Sequence, residues 1–180
     1  MSGRGPLTYT LSEFSEGTSE RSEQLDAGAL NLGDVQVSIP HPVEVSLEIT
    51  RMREEFRIRG QATLRVSQNC VRCLESVESV LTAPIAMLVR GRHERENESR
   101  DAPEGVLYHD GESFSLLNEV RQSVILELPA DPFCGPDCKG LCPHCGVNLN
   151  NGSCDCAASA LGDPRWGVLH NLRQGQMPDH

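Results

Sequence analysis

Residues 133–156 of this 180-residue chain read FCGPDCKGLCPHCGVNLNNGSCDC. Six of the eight cysteines stand in this stretch, and the remaining two, Cys70 and Cys73, form a separate pair upstream. The stretch is rich in Gly, Pro and Asn and poor in large apolar residues, so it cannot bury a core of its own. We therefore expect bonds from the cysteines to hold it.

The cysteines come in four close pairs, and eight thiolates suffice for two tetrahedral zinc sites. A Cys-x-x-Cys turn directs two thiolates at one ion while its backbone amides hydrogen-bond the sulfurs. Spacing alone does not decide which pairs share an ion, and we predict the local closure, with two structural zinc ions. One ion is expected to bind Cys142, Cys145, Cys154 and Cys156. The other is expected to tie the tail to the sheet by binding Cys70, Cys73, Cys134 and Cys138.

Three other uses of the cysteines compete with zinc: disulfides, an iron–sulfur cluster, and thiol redox chemistry at Cys70-Val71-Arg72-Cys73. The residues after Met1 lack the hydrophobic run of an export signal, which favours a reducing compartment where disulfides rarely persist. Iron–sulfur proteins use other cysteine spacings. Closed all-cysteine sites lack the open position of catalytic zinc, so we expect no enzyme and no small-molecule substrate.

The overall composition argues against several classes of protein. The formal charge of −10 and the pI of about 5.0 argue against a generally basic nucleic-acid coat protein. Four Phe, two Tyr and one Trp are too few for binding single strands by base stacking alone. No apolar run approaches the roughly 20 residues that span a bilayer. We therefore expect a cytoplasmic protein without a membrane segment.

Alternating apolar residues predict antiparallel strands upstream of most of the cysteines. Residues 43–49 are apolar at every odd position. Residues 51–66 form a second alternation, whose apolar residues have even numbers, with a bend or bulge at Gly60. Residues 77–89 form a third run, in which Pro84 indicates an edge position or a kink. Three or more antiparallel strands are expected from these runs.

Helical periodicity is clearest between residues 113 and 128. Asp163-Pro164-Arg165-Trp166 begins a second, short helix with an acidic N-cap and Pro at its first position, and we expect this helix to dock on the core. Residues 12–23, rich in Ser and Glu, predict a loop or a frayed helix. Residues 91–105 are mostly charged and predict a mobile, solvated connection.

These elements predict an α+β protein. Its expected parts are an antiparallel sheet of open or barrel-like form, one or two packed helices and a cysteine-rich zinc-binding C-terminal segment. We place the sheet and helix in residues 1–128, and the zinc-binding tail with its short helix in residues 129–180.

Six arginines between residues 51 and 72 oppose two glutamates, a local charge of +4 in a protein of charge −10. They are Arg51, Arg53, Arg57, Arg59, Arg65 and Arg72. Five of them have odd numbers, so one continuous strand would place those five on one face, with guanidinium groups free for RNA phosphates. The alternative is an ordinary solvated face with cross-strand pairs to Glu44, Glu48 or Glu78.

Four motifs resemble the YceD proteins, a bacterial and plastid family also called large ribosomal RNA subunit accumulation proteins. The motifs are Cys70-Val71-Arg72-Cys73-Leu74-Glu75, Glu127-Leu128-Pro129, the run CKGLCPHCG at 138–146 with Asn148-Leu149-Asn150, and Asp163-Pro164-Arg165-Trp166 with Leu169 and Leu172. The resemblance spans Cys70 to Leu172. The complete later cysteine cluster looks like a metal-bearing branch of the family.

The resemblance implies a non-catalytic role in the synthesis, processing or stability of large-subunit ribosomal RNA, and members are often encoded beside a large-subunit ribosomal protein. The expected partner is that RNA or its precursor, held by an arginine-rich sheet face on a zinc-stapled scaffold. The −10 charge offers an alternative, an acidic chaperone or adaptor for a basic large-subunit ribosomal protein. A regulatory zinc-binding adaptor for transcription is a more distant third reading.

Overall fold

The computed structural model describes residues 5–33, 37–92 and 105–156 of the chain. Most of the charged connection predicted at 91–105 lies outside these ranges, and so does the helix predicted to begin at Asp163.

The chain forms two compact units. Unit 1 is Met1–Asn69 with Ser76–Pro132, and unit 2 is Cys70–Glu75 with Phe133–His180. The sequence analysis divided the chain after residue 128 and placed Cys70–Glu75 in the first part, whereas the structure groups these residues with the tail. These residues join unit 2 because they carry two cysteines of its first cluster.

The described part of unit 1 contains seven strands and one α-helix. The strands are β1 (Thr8–Thr10), β2 (Gly17–Leu25), β3 (Val43–Met52), β4 (Glu55–Asn69), β5 (Ser76–Gly91), β6 (Val106–His109) and β7 (Ser113–Ser115). The helix is α1 (Leu117–Glu127), which confirms the helical periodicity, although the first residues of the predicted segment form β7.

Five strands form the main sheet in the order β2-β3-β4-β5-β6. Neighbours run antiparallel except β5 and β6, which run parallel, so the sheet is mixed rather than antiparallel throughout. Among the described strands, β2 and β6 are edges, and the sheet is therefore open and not a closed barrel. β1 and β7 pair with each other in a separate two-stranded sheet.

One face of the main sheet carries the core. Inward side chains alternate with exposed ones along β3 and β4, as the apolar periodicity predicts. The core includes a cluster of Tyr9, Phe14, Phe56 and Phe114, with ring centroids 5.2–6.3 Å apart. Helix α1 adds Val120 and Val124 to the same core. Among the described residues, the opposite face carries the exposed side chains of β3 and β4.

The prediction of a loop or frayed helix over residues 12–23 is wrong, because most of this segment belongs to strand β2. Its inward-facing positions include polar residues, which hides the usual alternation of apolar and polar residues. Tyr9 donates a hydrogen bond to Glu23 at 2.7 Å, and the Arg21 guanidinium lies 4.9 Å from the centre of the Phe14 ring. These partners allow polar side chains to line the core side of an edge strand.

A tight hairpin joins β3 to β4 at residues 53–54, whereas the sequence analysis began the second strand at residue 51. Arg53 takes a left-handed backbone conformation (φ 58°), and Met52 pairs with Glu55 across the turn. After this reversal Arg51 lies opposite Phe56, so odd positions point inward on β3 and outward on β4.

The backbone of β3 leaves no space for a side chain at Gly60 of β4. A Cβ atom there would overlap the Ser46 carbonyl oxygen and lie 2.9 Å from the Leu47 Cα, both atoms of the β3 backbone. The outward pattern of odd residues continues past Gly60, so the residue causes no change of register. Glycine is required here by close approach rather than by a bulge.

Gly60→Ala is expected to destabilise unit 1 by about 1–3 kcal/mol, because backbone atoms cannot yield to a methyl group as a flexible side chain can. Chemical denaturation followed by circular dichroism measures the change. Gly5→Ala is the matched control in the same unit, since its Cβ would meet only the Thr8 hydroxyl, at 3.6 Å. Equal stability of the two variants would contradict this account of the β3–β4 contact.

The described residues include no helix with the length and apolar character needed to cross a membrane.

Candidate metal centres and arginine face

The first cysteine cluster comprises Cys70, Cys73, Cys134 and Cys138, whose sulfur atoms all lie within 4.8 Å of one another. The Cys70 and Cys138 sulfurs are 3.9 Å apart, and the Cys73 and Cys134 sulfurs are 3.6 Å apart. Three of the four residues are buried, and Cys134 is exposed. The cluster forms one of the few water-excluded positions of unit 2.

The first knuckle, Cys70–Glu75, aims two of these thiols by its backbone. The Leu74 amide donates to the Cys70 carbonyl at 2.9 Å, and the Cys70 amide donates to the Glu75 carbonyl at 2.8 Å. Leu74 takes a left-handed conformation, with φ 62°. The turn therefore closes at both ends and holds both sulfurs on one side.

The second cluster comprises Cys142, Cys145, Cys154 and Cys156, also within 4.8 Å of one another. Its second knuckle, residues 142–147, repeats the bonds of the first. The Gly146 amide donates to the Cys142 carbonyl at 2.9 Å, and the Cys142 amide donates to the Val147 carbonyl at 2.8 Å. Gly146, with φ 73°, stands where Leu74 stands in the first knuckle.

Hydrogen bonds connect the two knuckles within unit 2. The Leu141 amide donates to the Arg72 carbonyl at 3.0 Å, and the Asn148 and Asn151 amides donate to the Glu75 carboxylate at 2.8 and 2.9 Å. From sequence we expect these asparagines to satisfy turn geometry, and the Asn150 amide does donate to the Asn148 side-chain oxygen at 2.9 Å. Their bonds to Glu75 have no local sequence signal, because Glu75 lies 73 and 76 residues earlier in the chain.

Asn150 also supports the first cluster directly. Its side-chain amide donates to the Cys138 sulfur at 3.4 Å, while its side-chain oxygen accepts from the Lys139 amide at 2.8 Å. Such bonds to a ligand sulfur orient it and stabilise its charge.

Each cluster contains one strongly acidified thiol. Burial opposes ionisation of Cys70, but backbone hydrogen bonds from Cys73, Cys134 and Arg72 outweigh it and lower its pKa to about 6. Backbone hydrogen bonds from Cys145 and His144 likewise lower the pKa of Cys142 to about 6. These two thiols are ionised at neutral pH and offer the charge that a cation requires.

Two thiols, Cys134 and Cys156, are shifted in the opposite direction, toward the protonated form. Hydrogen bonding with the sulfurs of Cys138 and Cys73 raises the pKa of Cys134 to about 12, and bonding with Cys145 raises that of Cys156 to about 12. A bound cation would replace these protons, because metal binding deprotonates thiol ligands.

The donor set fits zinc. All eight cysteines are free thiols, and the measured sulfur separations in the first cluster match the ~3.8 Å expected between ligands of a tetrahedral site with Zn–S bonds of ~2.3 Å. Disulfide sulfurs would lie only ~2.05 Å apart. The eight thiols fall into the two groups that the sequence analysis predicted.

Three arginines form an exposed row on the outer face of β4, which we call the arginine face: Arg57, Arg59 and Arg65. Within the described residues, none of the three makes an ion pair or a side-chain hydrogen bond. Glu48 lies directly opposite Arg59 on β3, yet the two are not paired. The solvated-face alternative predicted cross-strand pairs that the described residues do not form.

The other three arginines do not share this face. Arg51 is half-buried on the core side, where its guanidinium donates to the carbonyl oxygens of Leu11 and Phe14 and lies 5.4 Å from the centre of the Phe56 ring. Arg53 lies in the β3–β4 turn. The prediction that Arg51 and Arg53 line the same face as the β4 arginines is wrong, because the turn reverses the chain between them.

Arg72 belongs to unit 2. Its guanidinium donates to the Cys138 carbonyl at 3.2 Å and lies 4.9 Å from the centre of the Phe133 ring. It therefore connects the first knuckle to the tail.

Glutamates flank the arginine face on one side. Glu20 on β2 lies opposite Glu48 on β3. Glu44 on β3 lies opposite Thr63 of β4, two residues before Arg65. On its other side, β4 pairs with neutral outward residues of β5, which are Leu88, Ala86 and Val80 opposite the three arginines. The row thus has neutral β5 neighbours at Arg57 and Arg59, whereas exposed Glu78 of β5 stands two residues from Val80, beside Arg65.

Unit 1 contains an open mixed sheet with one helix, and unit 2 contains two clusters of four cysteines. Together these features define a small α+β protein with a cysteine-cluster module. Residues 58–173 match the family model described as large ribosomal RNA subunit accumulation protein YceD. This match covers more than half of the chain, and the chain belongs to the YceD family.

Several curated proteins are similar to the chain. It is 25% identical over 158 residues to the large ribosomal RNA subunit accumulation protein YCED homolog 1, chloroplastic, of Arabidopsis thaliana, covering 74% of the chain and 49% of that protein. The Zea mays protein of the same description is 27% identical over 142 residues, covering 64% and 48%. An uncharacterized protein of Mycobacterium bovis is 30% identical over 133 residues, covering 71% and 60%.

The chain spans about half the length of the plant relatives it matches. No solved structure matches it at a significant level.

Proposed function

We propose that this chain is a non-catalytic ribosome biogenesis factor that supports accumulation of large-subunit ribosomal RNA by binding that RNA or its precursor. The family membership and the names of the plant relatives support the RNA assignment. The observation that carries direct binding is the arginine face, with three exposed guanidinium groups on one strand and no ion-pair partner within the described residues.

The arginine face suits an extended polyanion. Arg57 and Arg65 are eight residues apart on β4, which corresponds to about 26 Å along the strand. Guanidinium groups contact phosphate oxygens without reading sequence, so they position an RNA rather than identify it. Beside Arg57 and Arg59 the outward residues of β5 are neutral, so an RNA there avoids the glutamates of β2 and β3.

Zinc has a structural role in this proposal. Cys70, Cys73, Cys134 and Cys138 would hold one ion, and Cys142, Cys145, Cys154 and Cys156 the other. When bound, each ion cross-links segments that have too little apolar surface to fold alone. Four thiolates complete a tetrahedral shell and leave no position for a reacting water, so we propose no enzymatic activity. The proposed site of action is the cytoplasm, where ribosomal RNA is assembled.

Neutralising two arginines tests the proposal. Arg57→Gln with Arg59→Gln is expected to weaken binding to a large-subunit ribosomal RNA fragment and to lower the magnitude of the slope of log K against log salt concentration by about 1.4–1.8. Fluorescence anisotropy across a salt series measures both quantities. Arg53→Gln is the control, since it removes one positive charge from the turn and leaves the arginine face intact. A slope unchanged in the double variant would contradict phosphate contact by the arginine face.

A second candidate function is an acidic chaperone for a basic large-subunit ribosomal protein. One observation favours it: Glu20 and Glu48 lie directly opposite each other on β2 and β3. Like charges in this position destabilise a sheet unless a cation lies near them. Capture of a basic ribosomal protein that is lost in Glu20→Gln with Glu48→Gln, and retained in the arginine variant, would support this function over RNA binding.

A further inference from the structure

Unit 2 carries large apolar side chains that are exposed to solvent rather than buried in a core. Val71 and Leu74 of the first knuckle, Phe133 and Val147 are all exposed. Three of these four lie in or contact the first knuckle, because Phe133 stacks on Arg72. The first knuckle therefore presents an apolar surface that the cysteine cluster beneath it does not explain.

Leu74 is the most unusual of these residues. It occupies a left-handed backbone position (φ 62°) while its side chain is 61% exposed. For a residue other than Gly, this conformation costs about 1–2 kcal/mol. The equivalent position of the second knuckle is Gly146, which adopts the same conformation without that cost. Within the described residues, Leu74 thus combines a strained backbone with an exposed side chain, as expected of a residue that makes a contact beyond them.

Phe133 differs from the other phenylalanines. Phe14, Phe56 and Phe114 are buried in the core of unit 1, whereas Phe133 is 45% exposed. One face of its ring is occupied by the Arg72 guanidinium, which the Cys138 carbonyl holds in place. A planar cation stacked on an exposed ring is a preformed surface of the kind on which RNA bases stack.

The charges beside this surface balance one another. Arg72 is bonded to Cys138, and Lys139, the next residue, is exposed. Asp137 on the other side of Cys138 is also exposed and opposes them in part. The remaining acidic group of the first knuckle, Glu75, is neutralised in part by hydrogen bonds from Asn148 and Asn151.

We propose that the first knuckle, together with Phe133, binds an unpaired nucleobase of RNA. The base stacks on the Phe133 and Arg72 pair, and Leu74 and Val71 frame it with apolar contacts. This inference rests on the proposed RNA-binding function and adds a second element to it: the arginine face holds phosphates, and the first knuckle selects single-stranded segments over duplex.

The experiment compares two probes, a fluorescein-labelled single-stranded oligoribonucleotide and a blunt-ended duplex of the same sequence. Phe133→Ala is expected to weaken single-strand binding about tenfold, leave duplex binding unchanged and leave the salt slope unchanged, because stacking releases no counterions. Val147→Ala, on the second knuckle, is the matched control and should alter neither affinity.

Leu74→Gly separates a binding role from a structural one. Since glycine accepts the left-handed conformation, this variant should retain or raise the melting temperature of the zinc-loaded protein. It should nevertheless lose several-fold of its single-strand affinity. A variant that merely damaged the fold would lower both quantities.

The outcomes distinguish this inference from the proposed function. If the ratio of single-strand to duplex affinity is unchanged in both Phe133→Ala and Leu74→Gly, the inference is overturned. The same holds if these variants keep that ratio but lose binding to a protein partner. Loss of the ratio with an unchanged response to Arg57→Gln and Arg59→Gln would support the inference and contradict the arginine face. Absence of binding to either probe would overturn both.

Discussion

Cys70→Ser is expected to bind one zinc ion per chain where the unaltered protein binds two, and Cys154→Ser is expected to lose the other ion. A structural zinc contributes an apparent ~10–16 kcal/mol to a small module, as much as the ~5–15 kcal/mol net stability of a whole domain. Each loss should therefore unfold part of unit 2. Metal analysis gives the stoichiometry, and limited proteolysis within residues 133–156 reports the unfolding.

The two variants distinguish the grouping of the thiols. Because Cys70 and Cys154 belong to different clusters, the double variant should bind no zinc. Ser153→Ala, next to Cys154 in the chain, is the control and should retain both ions. Loss of the same ion by both single variants, or full retention by either, would contradict the two-cluster arrangement.

Phe56→Ala is expected to destabilise unit 1 by about 3–5 kcal/mol, because removal of a fully buried ring leaves a cavity. The Phe56 side chain is 0% exposed, and its ring centroid lies 5.8 Å from that of Phe14 and 5.2 Å from that of Phe114. Urea denaturation followed by far-ultraviolet circular dichroism measures the change.

Phe133→Ala provides the matched control for this prediction, since the same atoms are removed from a half-exposed site in unit 2. Its effect on the unfolding of unit 1 should be within about 0.5 kcal/mol, as for most surface substitutions. A comparable loss in both variants would contradict the placement of the core on the inner face of the sheet.

The cysteine spacing predicted the most about this molecule. Two knuckles of the Cys-x-x-Cys type form local turns, so the positions of their sulfurs depend on few residues and can be inferred from sequence. The grouping of all eight thiols followed from the same preference for local closure. The bonds from Asn148, Asn150 and Asn151 could not be predicted, because they depend on contacts between segments far apart in the chain.

The strands were less predictable. β2 was missed because Arg21 and Glu23 occupy inward positions, and only partners from other segments, Phe14 and Tyr9, make those positions tolerable. The β3–β4 turn was predicted a few residues too early, because Arg53 adopts a left-handed conformation that usually indicates Gly or Asn. That one turn moved Arg51 from the predicted RNA face to the core side.

The structure changes the meaning of the arginine-rich segment. Six arginines in sequence become three structurally distinct groups: a row on β4, a core-side cation at Arg51 with Arg53 in the adjoining turn, and a cation of unit 2 at Arg72. Only the first group is displayed as an unpaired row. The local charge of +4 therefore overstates the basic surface, and substitutions at Arg51 would be expected to affect folding before they affect binding.

Ultraviolet crosslinking in cells, with sequencing of the recovered RNA and identification of crosslinked peptides, tests the central claim most directly. The account predicts enrichment of large-subunit ribosomal RNA or its precursor, with crosslinks in β4 and in the first knuckle. Recovery of neither ribosomal RNA nor ribosomal proteins would contradict it.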